Sequence, residues 1–205
     1  MTARNQTDYQ FEFWSALGWT LLSCGVYGFY VTYQLFRRSV EHNRRRIEVL
    51  DSLNALAWER AVATGRTEEL TPWFRSVSTQ IDGLRRVATE FRDPALWTVI
   101  TVVTGTIGSV LSFVFLDQDL VAHEAAERAA EDQLASLLTS LGTPVALPPA
   151  PPPKGPHNIG GRVAALLGSC GLYGLWWLYD VMVQGNDNFH HDWVREDAFL
   201  VALGA

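Results

Sequence analysis

LWTVITVVTGTIGSVLSFVFL, residues 96–116, runs for 21 residues without a charge. About 20 apolar residues, at 1.5 Å each, carry a helix across the hydrocarbon core of a bilayer. Two more blocks have the same character. Residues 14–36 hold no charge, and their most polar member is Gln34. Residues 163–183 carry only Asp180, near the end. A soluble domain interleaves its core residues with polar ones at a helical or strand period. This chain segregates them. The expectation is an all-α protein with three apolar transmembrane helices.

The flanks of the blocks agree with spanning. Aromatic rings favour the headgroup level. Trp14 and Trp19 open the first block, Trp97 opens the second, and Trp176, Trp177 and Tyr179 close the third. Eleven of the sixteen basic residues lie between Arg37 and Arg92. By the positive-inside tendency this Arg-rich loop, 37–92, faces the cytoplasm of a prokaryotic cell membrane, with the N-terminus outside. The net charge of −6 argues against a nucleic-acid partner, which selects basic domains. Cys24 and Cys170 each fall inside an apolar block, and read as small residues buried in helices.

The blocks also resemble one another. Residues 23–28 read SCGVYG and residues 169–174 read SCGLYG, an offset of 146. The middle block joins with offsets of 81 and 65, which align TGTI at 104–107 with SCGV. The same register aligns His42, His123 and Asn188, then Leu53, Leu134 and Phe199. It survives into polar sequence, where apolar composition cannot create it. The reading is a divergent triplication: unit 1 over 1–60, an amphipathic insert over 61–93, unit 2 over 94–142, a Pro-rich linker over 143–158 and unit 3 over 159–205. Each unit is an apolar helix, a short polar break and an amphipathic polar helix. Gly25 and Gly28, Gly105 and Gly108, and Gly171 and Gly174 have the spacing that lets membrane helices approach closely.

Between the blocks the pattern is helical. Ile47, Leu50, Leu53, Leu56 and Ala57 lie on one side, and Gly65 ends that helix. Thr71 reads as an N-cap with Pro72 in the first turn. Trp73, Val77, Ile81, Leu84 and Phe91 then form a stripe suited to pairing in a homo-oligomer. The stretch 143–156 holds seven of the nine prolines and reads as an extended spacer.

Signs of chemistry are sparse. The chain has no phosphate loop, no dinucleotide fingerprint and no nucleophile elbow. His190-His191-Asp192 is a weak ligand pattern, because adjacent histidines point apart on a helix. The acid pairs Glu131-Asp132 and Glu196-Asp197 read as solvated helix surface. The expectation is a non-enzyme without catalytic or metal residues, whose only cofactor candidates are menaquinone or lipid. Tyr27, Tyr30, Tyr173, Trp176 and Trp177 are the candidate lipid or quinone contacts.

The run from Leu166 to Tyr179, followed by Asn188-Phe189 and Glu196-Asp197, resembles a prokaryotic family of small membrane proteins of unknown function, number 4234 in the common numbering. Asn188 stands where that pattern has a histidine. The resemblance implies a membrane protein and no activity. The chain is also similar in kind to the stalk subunit of actinobacterial nickel–iron uptake hydrogenases, an oligomer that brings quinone to its enzyme. Two functions follow as expectations. One is a membrane anchor or scaffold that oligomerises and holds a larger enzyme complex. The other is an apolar conduit for quinone or lipid.

Overall fold

Each apolar block turns back on itself. In the first, α2 (Phe13–Leu22) ends at Ser23, and α3 (Val26–Ala63) begins three residues later. Between them Cys24 and Gly25 are left-handed, with φ of 52° and 93°. The Gly25 N–H closes back on the Thr20 carbonyl at 2.8 Å, the usual way a left-handed glycine stops a helix. The Ser23 hydroxyl then accepts from the Tyr27 N–H at 2.8 Å and caps the next helix. The third block repeats this between α7 (Ile159–Gly168) and α8 (Tyr173–Leu203): Cys170 and Gly171 have φ of 51° and 93°, and Ser169 caps Tyr173 at 2.8 Å. In the second, Gly105 alone, at φ 60°, separates α5 (Pro94–Thr104) from α6 (Thr106–Ser140).

This corrects the reading of blocks 14–36, 96–116 and 163–183 as straight spans. In the computed structural model, which describes residues 4–89, 92–149 and 157–204, no helix is long and apolar enough to cross a membrane. The first arms have 10, 11 and 10 residues, so each reaches only about 15 Å. All the secondary structure described is helical, as expected. The expected polar break after each block is absent: α3, α6 and α8 run on without interruption for 38, 35 and 31 residues.

The glycines divide into two roles. Gly25, Gly105 and Gly171 do not pack helices; they are exposed turn residues with positive φ. Gly28, Gly108 and Gly174 allow the arms of each hairpin to meet. A Cβ at Gly108 would lie 2.7 Å from Thr101 Cα, and one at Gly174 would lie 3.1 Å from a Leu166 methyl. Cys24 and Cys170 are exposed at the turns, not buried in helices.

The long helices run in the same direction, with the three turns at one end. Val31, Leu35, Leu116, Trp177 and Val181 share one core next to the hairpins. Leu53, Leu134 and Phe199 share a second core farther along. The helix α4 (Thr67–Thr89) returns along α3 and α6 after Gly65, φ 68°. It starts before the predicted Thr71 cap, and Pro72 lies inside it. Its stripe is not an oligomer surface: Val77, Ile81 and Leu84 are buried in the second core with Leu70 and Phe74, while Trp73 faces outward. Phe91 lies outside the described residues, as does the linker from 150 to 156. A four-residue helix α1 (Arg4–Thr7) brings the N-terminus to α3.

Candidate functional site

Two features set this molecule apart from an ordinary helical bundle. The first is its turn end. Leu21, Leu22 and Val26 on the first hairpin, Val103 and Ile107 on the second, and Leu167 and Leu172 on the third are 66–77% exposed. No charged residue occurs in 13–36, 94–116 or 163–179. Charge begins abruptly at the hairpin bases. Glu12, Asp93 and Asn158 cap the three first arms. Arg162 joins Asp180 at 2.7 Å to Asp117 at 3.3 Å, His157 bonds Asp117 at 2.6 Å, and Arg92 holds Asp119.

The second feature is a buried polar belt between the two apolar cores. Arg46 is 1% exposed and its guanidinium serves three carboxylates: Glu127, Glu131 and, at 3.1 Å, Glu196. Arg195 holds the other Glu131 oxygen and reaches Asp132 at 2.6 Å. Arg45 bridges Glu196 at 2.6 Å and Asp8 at 2.8 Å. Arg38 lies under the rings of Phe11 and Phe189 and donates to Asn186 at 2.8 Å and to the Val181 and Met182 carbonyls. Taking such groups out of water costs several kcal/mol per ion, so they survive there only when paired. The pairing is nearly complete.

His42 sits at the centre of the belt. Its Nδ1 faces Asp8 at 2.8 Å and its Nε2 faces Asp192 at 3.1 Å. Burial opposes its proton, but Asp192 and Asp8 together hold its pKa above the usual histidine value. Asp8 responds the other way: burial would raise it, yet His42, Trp193 and Arg45 hold its carboxyl well below the carboxylate range. Burial pushes Glu131 up, against Arg46 and Arg195. His123 differs from all of these. It is 7% exposed, neither ring nitrogen has a hydrogen-bond partner among the described residues, and burial pushes it down to about 4. Its ring is therefore neutral near pH 7.

A small cavity opens here, lined by His42, His123, Glu127, Asn188 and Asp192 among others. His42, His123 and Asn188, aligned by the predicted register, all line it. The acid pairs correct their expectation: Glu131 and Glu196 are buried in the belt, and only Asp132 and Asp197 face solvent. Of the pattern His190-His191-Asp192, only Asp192 reaches the cavity. Asp8, Arg46 and Glu127 were missed. The same offsets pair Arg46, Glu127 and Asp192 one turn beyond the histidine level, a signal the sequence held.

The aromatic candidates for lipid contact scatter. Tyr30 and Trp176 are exposed, Tyr27 and Tyr173 are half-buried, and Trp177 is fully buried in the first core. A second cavity of about 230 Å³ lies between the hairpins, lined by Leu17, Thr20, Phe29, Phe113, Leu175 and Leu178 among others. Three of the eleven basic residues counted between 37 and 92, Arg38, Arg45 and Arg46, are interior and never meet a surface. Set against known proteins, the chain matches no family model, no curated protein and no solved structure.

Proposed function

We propose that this protein is a non-catalytic anchor that seats three apolar hairpins in one leaflet of a cell membrane and holds a partner at its far end. The carrying observation is the turn end: three uncharged, exposed, apolar tips side by side. Exposed apolar patches of this kind mark membrane or protein contacts. The 15 Å reach of each arm equals about half of a roughly 30 Å hydrocarbon core. The ion-paired bases then fall at the headgroups, where Trp14, Trp97 and Tyr179 also sit. The same reading takes the chain as three divergent copies of one unit. Its support is the matching Ser-Cys-Gly turns and the common depth of Leu53, Leu134 and Phe199. At the opposite end Trp58, Trp73 and Val201 are exposed and offer a partner-facing surface.

Cys24 and Cys170 supply the test, being free and exposed at two tips. Each is labelled with a polarity-sensitive fluorophore and the full chain is reconstituted in liposomes. Blue-shifted emission, quenched by lipids carrying a quencher low on the acyl chain, is expected. Emission unchanged from water refutes the reading.

A conduit for quinone or lipid is the second reading, favoured by the cavity between the hairpins. At about 230 Å³ it is smaller than the roughly 300–1,000 Å³ of common ligand pockets, so it suits a stretch of acyl chain better than a passage.

A further inference from the structure

We propose that the cavity where α3, α6 and α8 meet binds one divalent first-row transition-metal ion through His42, His123, Glu127 and Asp192.

Donor chemistry and placement carry the proposal. His42, Glu127 and Asp192 each offer one ligand atom, a ring nitrogen and two carboxylate oxygens, within 4.8 Å of one another. His42 Nε2 and Asp192 Oδ2 are 3.1 Å apart, close to the roughly 3.3 Å edge of a tetrahedron with bonds of about 2.0–2.1 Å. His123 Nε2, 3.5 Å from Glu127 Oε2, stands beside this trio and joins as the fourth ligand by moving toward the ion. The cavity holds about 30 Å³, roughly what one ion or a water or two needs.

His123 is the independent observation. A buried imidazole with both nitrogens unpartnered leaves polar groups unsatisfied, which proteins rarely do without a reason. A metal on Nε2 supplies one of the two missing partners. The outer contacts are those of a built site. Asp8 takes the His42 Nδ1–H and is itself held by Arg45 and Trp193, so a metal binds Nε2 by displacing the proton that Asp192 now accepts. A carboxylate behind a ligating histidine fixes its tautomer and orientation. Arg46 occupies the other oxygen of Glu127, leaving Oε2 for the metal. Mixed nitrogen and oxygen donors select zinc, iron or manganese over calcium or magnesium, which prefer oxygen alone. The second group of this kind, Asp117, His157 and Asp180, is filled by the Arg162 guanidinium and is not a comparable site.

The test uses the full chain in detergent, stripped with chelator and titrated with Co²⁺, whose visible bands report low-symmetry nitrogen and oxygen ligation. One cobalt per chain and a raised thermal midpoint are expected. His123→Gln and Asp192→Asn should each weaken binding at least tenfold, while the paired change His190→Ala and His191→Ala leaves it intact. A wild type without bands or midpoint shift overturns the proposal, since the cavity then holds water only. Binding that survives both ligand changes, or is lost with His190 and His191, overturns it too. X-ray absorption on the wild-type cobalt protein decides independently of any variant: two imidazoles support the assignment, and none or sulfur ligation ends it.

Discussion

At the scale of the residue, the belt shows what holds charge inside this protein. Arg46 is buried with three acids around it, and removing any member leaves another ion uncompensated in low dielectric. Glu196 allows a direct measurement. Burial would raise its pKa, but the Arg45 hydrogen bond and the charges of Arg45 and Arg46 lower it below the ordinary glutamate value of 4.5. A carboxyl depressed in the folded state binds fewer protons there than in the unfolded chain. Its stabilisation is therefore present above about pH 4.5 and is lost as pH falls through its folded value. Glu196→Gln should cost about 1–3 kcal/mol at pH 7 by leaving three guanidiniums, those of Arg4, Arg45 and Arg46, short of a partner. Thermal midpoints at pH 7 and pH 3 should show the gap between variant and wild type closing on the acid side. A gap that does not change with pH would mean that Glu196 is not ionised in its pairing.

At the scale of the element, the hairpins turn on small residues that read as membrane-packing motifs. The distinction is conformational. Gly25, Gly105 and Gly171 take φ values that L side chains rarely adopt, and the following glycine, three residues on, faces its own partner arm. The hairpins differ in how tightly they close. A Cβ at Gly108 would meet backbone, at 2.7 Å from Thr101 Cα and 2.9 Å from the Ile100 carbonyl oxygen. At Gly28 it would meet only a Thr20 methyl at 3.3 Å. Gly108→Ala should therefore destabilise by about 1–3 kcal/mol, the range of overpacking, and Gly28→Ala by less. Chemical denaturation in detergent gives the order; the reverse order would refute the packing of the second hairpin. The amphipathic insert is the complementary case. Val77, Ile81 and Leu84 were legible as an apolar stripe, but no pattern within one helix says whether its mate lies in the same chain or in another copy.

At the scale of the whole molecule, polarity alternates along the bundle: exposed apolar tips, an apolar core, a charged belt and a second apolar core. A helical bundle in water has no use for the first layer. If the tips enter lipid together, charges placed there should act as a unit. Leu22→Glu, Val103→Glu and Leu172→Glu should each weaken liposome binding, since a buried acid costs about 2.5–3.5 kcal/mol on insertion scales, a factor on the order of 100. The triple change should leave the chain unbound in flotation while its circular dichroism stays helical. Flotation unaffected by all three would place the membrane contact elsewhere or nowhere.

Sequence alone determined the helical class, the three apolar blocks, the stripe of the insert and the register that aligns His42, His123 and Asn188. These are matters of local period and spacing, which the chain carries along its length. Only the tertiary structure decided that each block bends, because a glycine at positive φ and one within a straight helix look alike on paper. It alone brought Asp8, Arg46, Glu127 and Asp192 into one belt: pairing between groups far apart in the chain depends on which helix faces which, and that is set when the apolar faces close together.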